Sequence, residues 1–99
     1  MAHRLAPQAE ADLEDIAYYT FVESGSVDVA DRFIDSLTER FLLLADYPYA
    51  GRRRDDLQLG IRGFPVGEYV ILYRVKDADV VIVRVVRGSR DLDAFLGDE

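Results

Sequence analysis

Arginine is the residue type through which this 99-residue chain can do chemistry. Nine of its twelve basic side chains fall between Arg52 and Arg90: Arg52, Arg53, Arg54, Arg62, Arg74, Lys76, Arg84, Arg87 and Arg90. A guanidinium offers a planar fork of donors that fits a carboxylate or a phosphate, and it stays protonated at physiological pH. Such a set can bind an anion or stabilise developing negative charge, but it makes a poor general base. Proton-transfer partners are scarce. His3 stands at the far end of the chain, Lys76 is the sole lysine, and the only aromatic after Arg90 is Phe95, which has no ionisable hydroxyl.

Two local clusters stand out. The first is loop 46–56, Asp46-Tyr47-Pro48-Tyr49-Ala50-Gly51-Arg52-Arg53-Arg54-Asp55-Asp56, whose three arginines cannot all point one way: in an extended segment Arg52 and Arg54 share a side and Arg53 takes the other. At most two then converge on a ligand, while one pairs with Asp55 or Asp56; a solvated loop with local ion pairs accounts for the run equally well. The second cluster is Arg84-Val85-Val86-Arg87-Gly88-Ser89-Arg90. By strand parity Arg84 shares a face with Val80, Ile82 and Val86, so its charge needs either an acid from elsewhere in the fold or a groove open to water. Arg87 and Arg90 flank a Gly-Ser pair whose backbone N–H groups can help to hold an anion.

The charge is sorted along the chain. Residues 1–50 carry three basic and ten acidic side chains, residues 51–90 carry nine and five, and the last nine residues carry four acids, for a net charge of -7. Indiscriminate nucleic-acid binding needs a domain-wide positive balance, which this composition lacks. A local basic site that docks on an acidic protein segment, or on RNA inside a larger particle, fits the pattern, as does a salt-bridged sheet face in water. With no cysteine and one histidine, neither a disulfide framework nor a structural metal site is expected. No apolar run approaches the roughly 20 residues that span a bilayer, and no signal peptide is read at the start, so a single cytoplasmic domain is expected.

The elements that must position these residues follow from periodicity. Pro7 suits a first helical turn, and Ala9, Leu13, Ile16, Ala17 and Thr20 recur at threes and fours, which predicts a helix over about 7–23 that stops at Gly25. A second helix starts with Ser26 as its N-cap, carries the stripe Ala30, Phe33, Ile34, Leu37, Phe41, Leu44 and Ala45, and ends at Tyr47-Pro48. Beyond the loop 46–56 the apolar pattern shortens to strands: residues 57–64, then 69–75 and 80–86, the last two joined by a hairpin turn at Lys76-Asp77-Ala78-Asp79. His3 to Leu5 adds an edge strand. The expected architecture is α+β, in the order β-α-α-β-β-β, with a helical hairpin covering a small, mostly antiparallel sheet and an irregular or helical tail from Arg90.

Read in order, several pieces resemble the ParE toxins of the RelE/ParE toxin-antitoxin superfamily. They are Leu5-Ala6-Pro7-Gln8-Ala9 with Asp12-Leu13 and Ile16; Ala30, Phe33 and Leu37; Pro48, Gly51-Arg52, Asp56-Leu57, Gly60-Ile61-Arg62 and Phe64; and Tyr69, Ile71, Tyr73-Arg74 and Arg84-Val85 through Gly88-Ser89-Arg90-Asp91. One departure is Ala6, where the family usually has a capping serine. The resemblance implies a growth-arresting toxin silenced by a cognate ParD-like antitoxin, which contacts operator DNA on behalf of the pair. ParE-like members poison DNA gyrase by binding, with no catalytic residues and no cofactor or metal. RelE-like members are ribosome-dependent mRNA endoribonucleases that use Lys, Arg and a late tyrosine or histidine, a set that fits this chain poorly. A degenerate member that only binds its antitoxin is the third reading. The expected target-facing residues are Arg52, Arg53, Arg54, Arg84, Arg87 and Arg90; Tyr18, Tyr19, Phe21 and Val22 on the first helix are expected to face the antitoxin.

Overall fold

The helical hairpin forms where the periodicity places it. In the computed structural model, which describes residues 2–88, α1 spans Pro7–Ser24 and α2 spans Val27–Asp46. Gly25 closes α1 in the left-handed conformation (φ 69°), and its N–H returns to the Phe21 carbonyl. Ser26 caps α2 by accepting a hydrogen bond from the Val29 N–H at 3.2 Å. Ala6, at the N-cap of α1, supplies no side-chain acceptor. Among the described residues no helix is long and apolar enough to cross a membrane.

The strands are β1 (Ala2–Leu5), β2 (Arg52–Arg53), β3 (Arg62–Val66), β4 (Tyr69–Lys76) and β5 (Asp79–Arg87), in the order β1-β5-β4-β3-β2. β1 runs parallel to β5 and every other pair is antiparallel. Both helices cover one face of this sheet. Leu37, Phe41 and Leu44 of α2 and Ala9 and Ile16 of α1 pack there against Ile71, Tyr73, Val80, Ile82 and Val85. The other face holds a smaller cluster of Leu57, Ile61, Leu72 and Val86.

Two expectations about the strands are corrected. Residues 57–61 form no strand; the third strand begins at Arg62. The chain from Arg54 to Ile61 folds on itself, because the Leu57 N–H donates to the Arg54 carbonyl, the Ile61 N–H to the Gln58 carbonyl, and the Gly60 N–H to the Asp55 carboxylate at 2.9 Å. Leu57 and Ile61 are apolar because that turn drops them onto the helix-free face. The parity assigned to β5 also fails beyond Ile82. Tyr73 pairs with Ile82 but Leu72 with Arg84, so Val83 is an extra residue that bulges the strand. Val85 thereby joins Val80 and Ile82 under the helices, and Val86 goes to the opposite face. The two-residue β2 is too short for periodicity to reveal. It ends opposite Gly63 and Arg62, so Pro65 of β3 lies beyond its reach, where a missing N–H costs no hydrogen bond.

One buried side chain ties the loop after α2 to the sheet. Tyr73 is fully buried, its hydroxyl donates to the Pro48 carbonyl at 2.8 Å, and it accepts from the Gly51 N–H at 2.8 Å. A Cβ on Gly51 would collide with that hydroxyl, so the position has room only for glycine. Arg62 completes the anchor by donating to the Gly51 carbonyl at 2.9 Å. Tyr73→Phe, which strands the Gly51 N–H, is expected to cost about 2 kcal/mol in urea unfolding at neutral pH. Burial raises the Tyr73 pKa above its ordinary 10.0, so this contribution is whole below pH 10 and disappears as the pH climbs through the raised value. The gap between wild type and Tyr73→Phe should therefore narrow in alkaline unfolding curves.

Candidate functional site

The carboxylate of Asp12, in the second turn of α1, organises the end of β5. Its oxygens accept from Arg84 Nε at 2.8 Å, from Arg84 Nη2 at 3.1 Å and from the Val85 N–H at 2.9 Å. The bulge at Val83 frees the Val85 N–H to make that third bond. Arg84 is thus two-pronged on an acid of the helical layer, with 12% of the Asp12 side chain exposed.

Arg87 lies farther along α1, beside Tyr19. Its guanidinium sits 4.8 Å from the centre of the Tyr19 ring and 5.9 Å from that of Tyr69, with the Glu68 carboxylate 3.9 Å away. Hydrogen bonds with Tyr19 and then Tyr69 push its pKa above the ordinary arginine value. Tyr19 and Tyr69 also wall a groove with Val29 and Phe33 of α2. Around the solvent side of α1 stand Tyr18 at 71% exposure, Val22 at 56% and Phe21 at 42%. α1 thus buries Ile16 on one side and exposes four large apolar side chains, Tyr18, Tyr19, Phe21 and Val22, on the other.

The Arg52–Arg54 run is elsewhere. β5 and β2 are separated by β4 and β3, which at the usual strand spacing is roughly 14 Å. The five of these arginines that are described therefore form no single cluster. Arg53 pairs with Asp55 at 2.7 Å, and Arg54 grips Asp56 through Nε and Nη2 at 3.0 Å each. Asp55 is held below the usual carboxylate range by the Gly60 N–H and then by Arg53, and Asp56 by its bond from Arg54. Arg52 is exposed on the edge strand and forms no ion pair among the described residues. Arg90 lies outside the described residues.

Loop 46–56 also supplies the aromatic neighbours of this edge, to which the sequence alone assigns no role. Arg62 stacks its guanidinium 5.0 Å from the centre of the Tyr49 ring, and Tyr49 and Tyr47 are each 66% exposed. Their place between a helix end and an arginine run was the available signal. His3, the only histidine, lies 5.9 Å from Phe41, ring centre to ring centre.

Residues 4–92 match the family model described as ParE toxin of type II toxin-antitoxin system, parDE. The chain belongs to the ParE toxin family. Toxin ParE3 of Caulobacter vibrioides is 36% identical to it over 83 residues, 84% of this chain and 83% of the relative. Toxin ParE1 of the same organism is 34% identical over 95 residues, 96% of this chain and 97% of the relative. A solved chain of the chromosomal ParDE TA system from P. aeruginosa shares the fold, with a TM-score of 0.77 over 88% of this chain and 95% of that one, at 24% identity. As a ParE-family member the chain is a toxin of the type II toxin-antitoxin class, and the expected α+β architecture is the one observed.

For this ParE-family chain, the ion pair at Asp12 is the link between helix and sheet that a single substitution can test. Asp12→Ala leaves the Arg84 charge and the Val85 N–H without their acceptor and is expected to cost about 3 kcal/mol in chemical unfolding. Asp12→Asn, which keeps one acceptor oxygen, should cost less.

Proposed function

We propose that the chain is the toxin half of a two-protein module, held silent by a cognate ParD-like antitoxin, and that once free it arrests growth by binding DNA gyrase. The observation that carries this reading is the family match over residues 4–92, with two relatives named as ParE toxins. The chemistry of the surface supports it. The basic side chains offered to a partner are guanidiniums, which bind and orient but do not accept protons at neutral pH. The solved neighbour comes from a chromosomal ParDE TA system, which supports the two-component organisation. Contact with operator DNA falls to the antitoxin, because this chain carries a net charge of -7.

The geometry suggests how the surfaces divide. The antitoxin covers the exposed arc of α1, Tyr18, Tyr19, Phe21 and Val22, and takes in Arg87, which Tyr19 holds. Arg84, spent on Asp12, positions β5. Arg52 and Arg53 on the far edge, beside Tyr47 and Tyr49, are left to the target. An exposed apolar helical arc is the kind of surface that a disordered antitoxin tail folds along, exchanging ordering entropy for buried area.

The deciding experiment measures supercoiling by purified gyrase with and without this protein, beside mRNA integrity in a purified translation system. Inhibited supercoiling with intact mRNA is expected; codon-periodic mRNA cuts with unaffected gyrase would overturn the gyrase assignment. Two variants separate the surfaces. Tyr18→Asp with Val22→Asp should weaken antitoxin capture by at least about tenfold and leave gyrase inhibition unchanged. Arg52→Glu with Arg53→Glu should do the reverse.

A further inference from the structure

The face of the sheet that the helices leave bare carries a group of cations that neither surface above uses. Leu5, Tyr73, Val75, Val80 and Ile82 all turn toward the helices, so their neighbours Arg4, Arg74, Lys76 and Val81 turn the other way. Arg4 on β1 and Arg74 on β4 are both in register with Val81 of β5. Two strand spacings put their Cα atoms roughly 10 Å apart, close enough for both guanidiniums to meet over that one valine. Lys76 stands two residues along β4 on the same side. The three cations line a pocket of about 420 Å³, walled at one end by Leu5, Ala6 and Pro7.

The electrostatics of the pocket are unbalanced. None of the three forms an ion pair among the described residues. Arg74 Nη2 donates to the Gln58 side-chain carbonyl, a neutral acceptor that steadies the guanidinium and leaves its charge in place. The acids at hand are Asp79, directly across from Lys76, and Asp77 in the turn. Neither acid lines the pocket, so the two arginines face a shared space with no carboxylate among its walls.

We propose that this pocket is an oxyanion site for a phosphate group. Two guanidiniums approaching from strands on either side of β5, with the Lys76 ammonium next to Arg74 on β4, suit a tetrahedral anion that accepts on several sides. A lone carboxylate is satisfied by the planar fork of one arginine. The phosphate belongs to a free phosphate compound or to a nucleic-acid backbone. The site stands on its own geometry and does not depend on the gyrase reading.

The test is a ¹⁵N NMR titration of the full chain with inorganic phosphate and, separately, with a short DNA duplex at matched phosphate concentration. Saturable shifts confined to residues 4–6, 74–76 and 81 are expected. Arg4→Ala and Lys76→Ala, both at exposed positions, should each weaken binding by about tenfold, whereas Arg53→Ala leaves it unchanged. Shifts with both probes assign the site to backbone phosphate, and shifts with inorganic phosphate alone assign it to a small phosphate compound. No saturable shift with either probe overturns the proposal. So does an equal loss in Arg53→Ala, which would mark diffuse charge attraction, or binding of a poly-glutamate peptide by a pocket that ignores phosphate.

Discussion

The carboxylate of Asp12, held against the bulge in β5, is the contact on which the arrangement of this molecule turns. Without the extra residue at Val83, Val85 and Arg87 would fall on the helix-free face and Val86 under the helices. With it, Val85 closes the core beneath α1, and Arg87 comes up beside Tyr19 and Tyr69. A bulge leaves a ladder hydrogen bond unmade, and here the Val85 N–H finds its acceptor in the helix instead. The same carboxylate neutralises Arg84, so one acid meets both demands of the irregular strand. Burying a charged pair adds little net stability, since desolvation consumes much of the attraction. Its value lies in register: only one alignment of α1 on β5 places Asp12 over both donors.

The opposite end of the sheet is fixed by a different device with the same logic. Tyr73 sends its hydroxyl out of the core to the loop after α2, where Pro48 accepts and Gly51 donates. Arg62 then binds the Gly51 carbonyl while lying over Tyr49. The loop is therefore pinned at Pro48 and Gly51, on either side of Tyr49. Anchoring both ends from within the sheet gives the protein two preorganised surfaces at a distance from each other, one centred on α1 and one on the β2 edge.

The parts of this architecture that are readable in the sequence are those that local rules decide. Both helices follow from the spacing of their apolar residues, and Gly25 and Ser26 mark the break between them through backbone freedom and a hydroxyl acceptor. β4 and β5 follow from their runs of branched residues. The bulge does not follow, because Val83 is extra only once Tyr73 and Leu72 have taken partners and Asp12, more than seventy positions away, has supplied the acceptor. Leu57 and Ile61 mislead for a similar reason: alternation along a strand and burial at both ends of a tight turn look alike when the Asp55–Gly60 bond that closes the turn is not visible. Arginine count is legible and arginine placement is not. A run of three places Arg53 and Arg54 on acids two residues away, while Arg4, remote in sequence, comes to lie beside Arg74 through the pairing of β1 with β5.

That placement also explains how a chain with a net charge of -7 keeps a positive face. Ten of its nineteen acids lie in the two helices, which cover one side of the sheet, and Arg4, Arg74 and Lys76 emerge on the other. The thinnest extent of the fold is 21 Å, against a Debye length of about 8 Å at physiological ionic strength. Acids on the outer side of the helices are thus screened from the bare face, and an anion approaching that face meets mainly the arginines nearest to it. Lowering the salt weakens the advantage, because the Debye length in the surrounding solvent, about 30 Å at 0.01 M, then exceeds the thickness of the fold. The net charge governs encounter at long range, and the sorting of charge across the sheet governs what binds on contact.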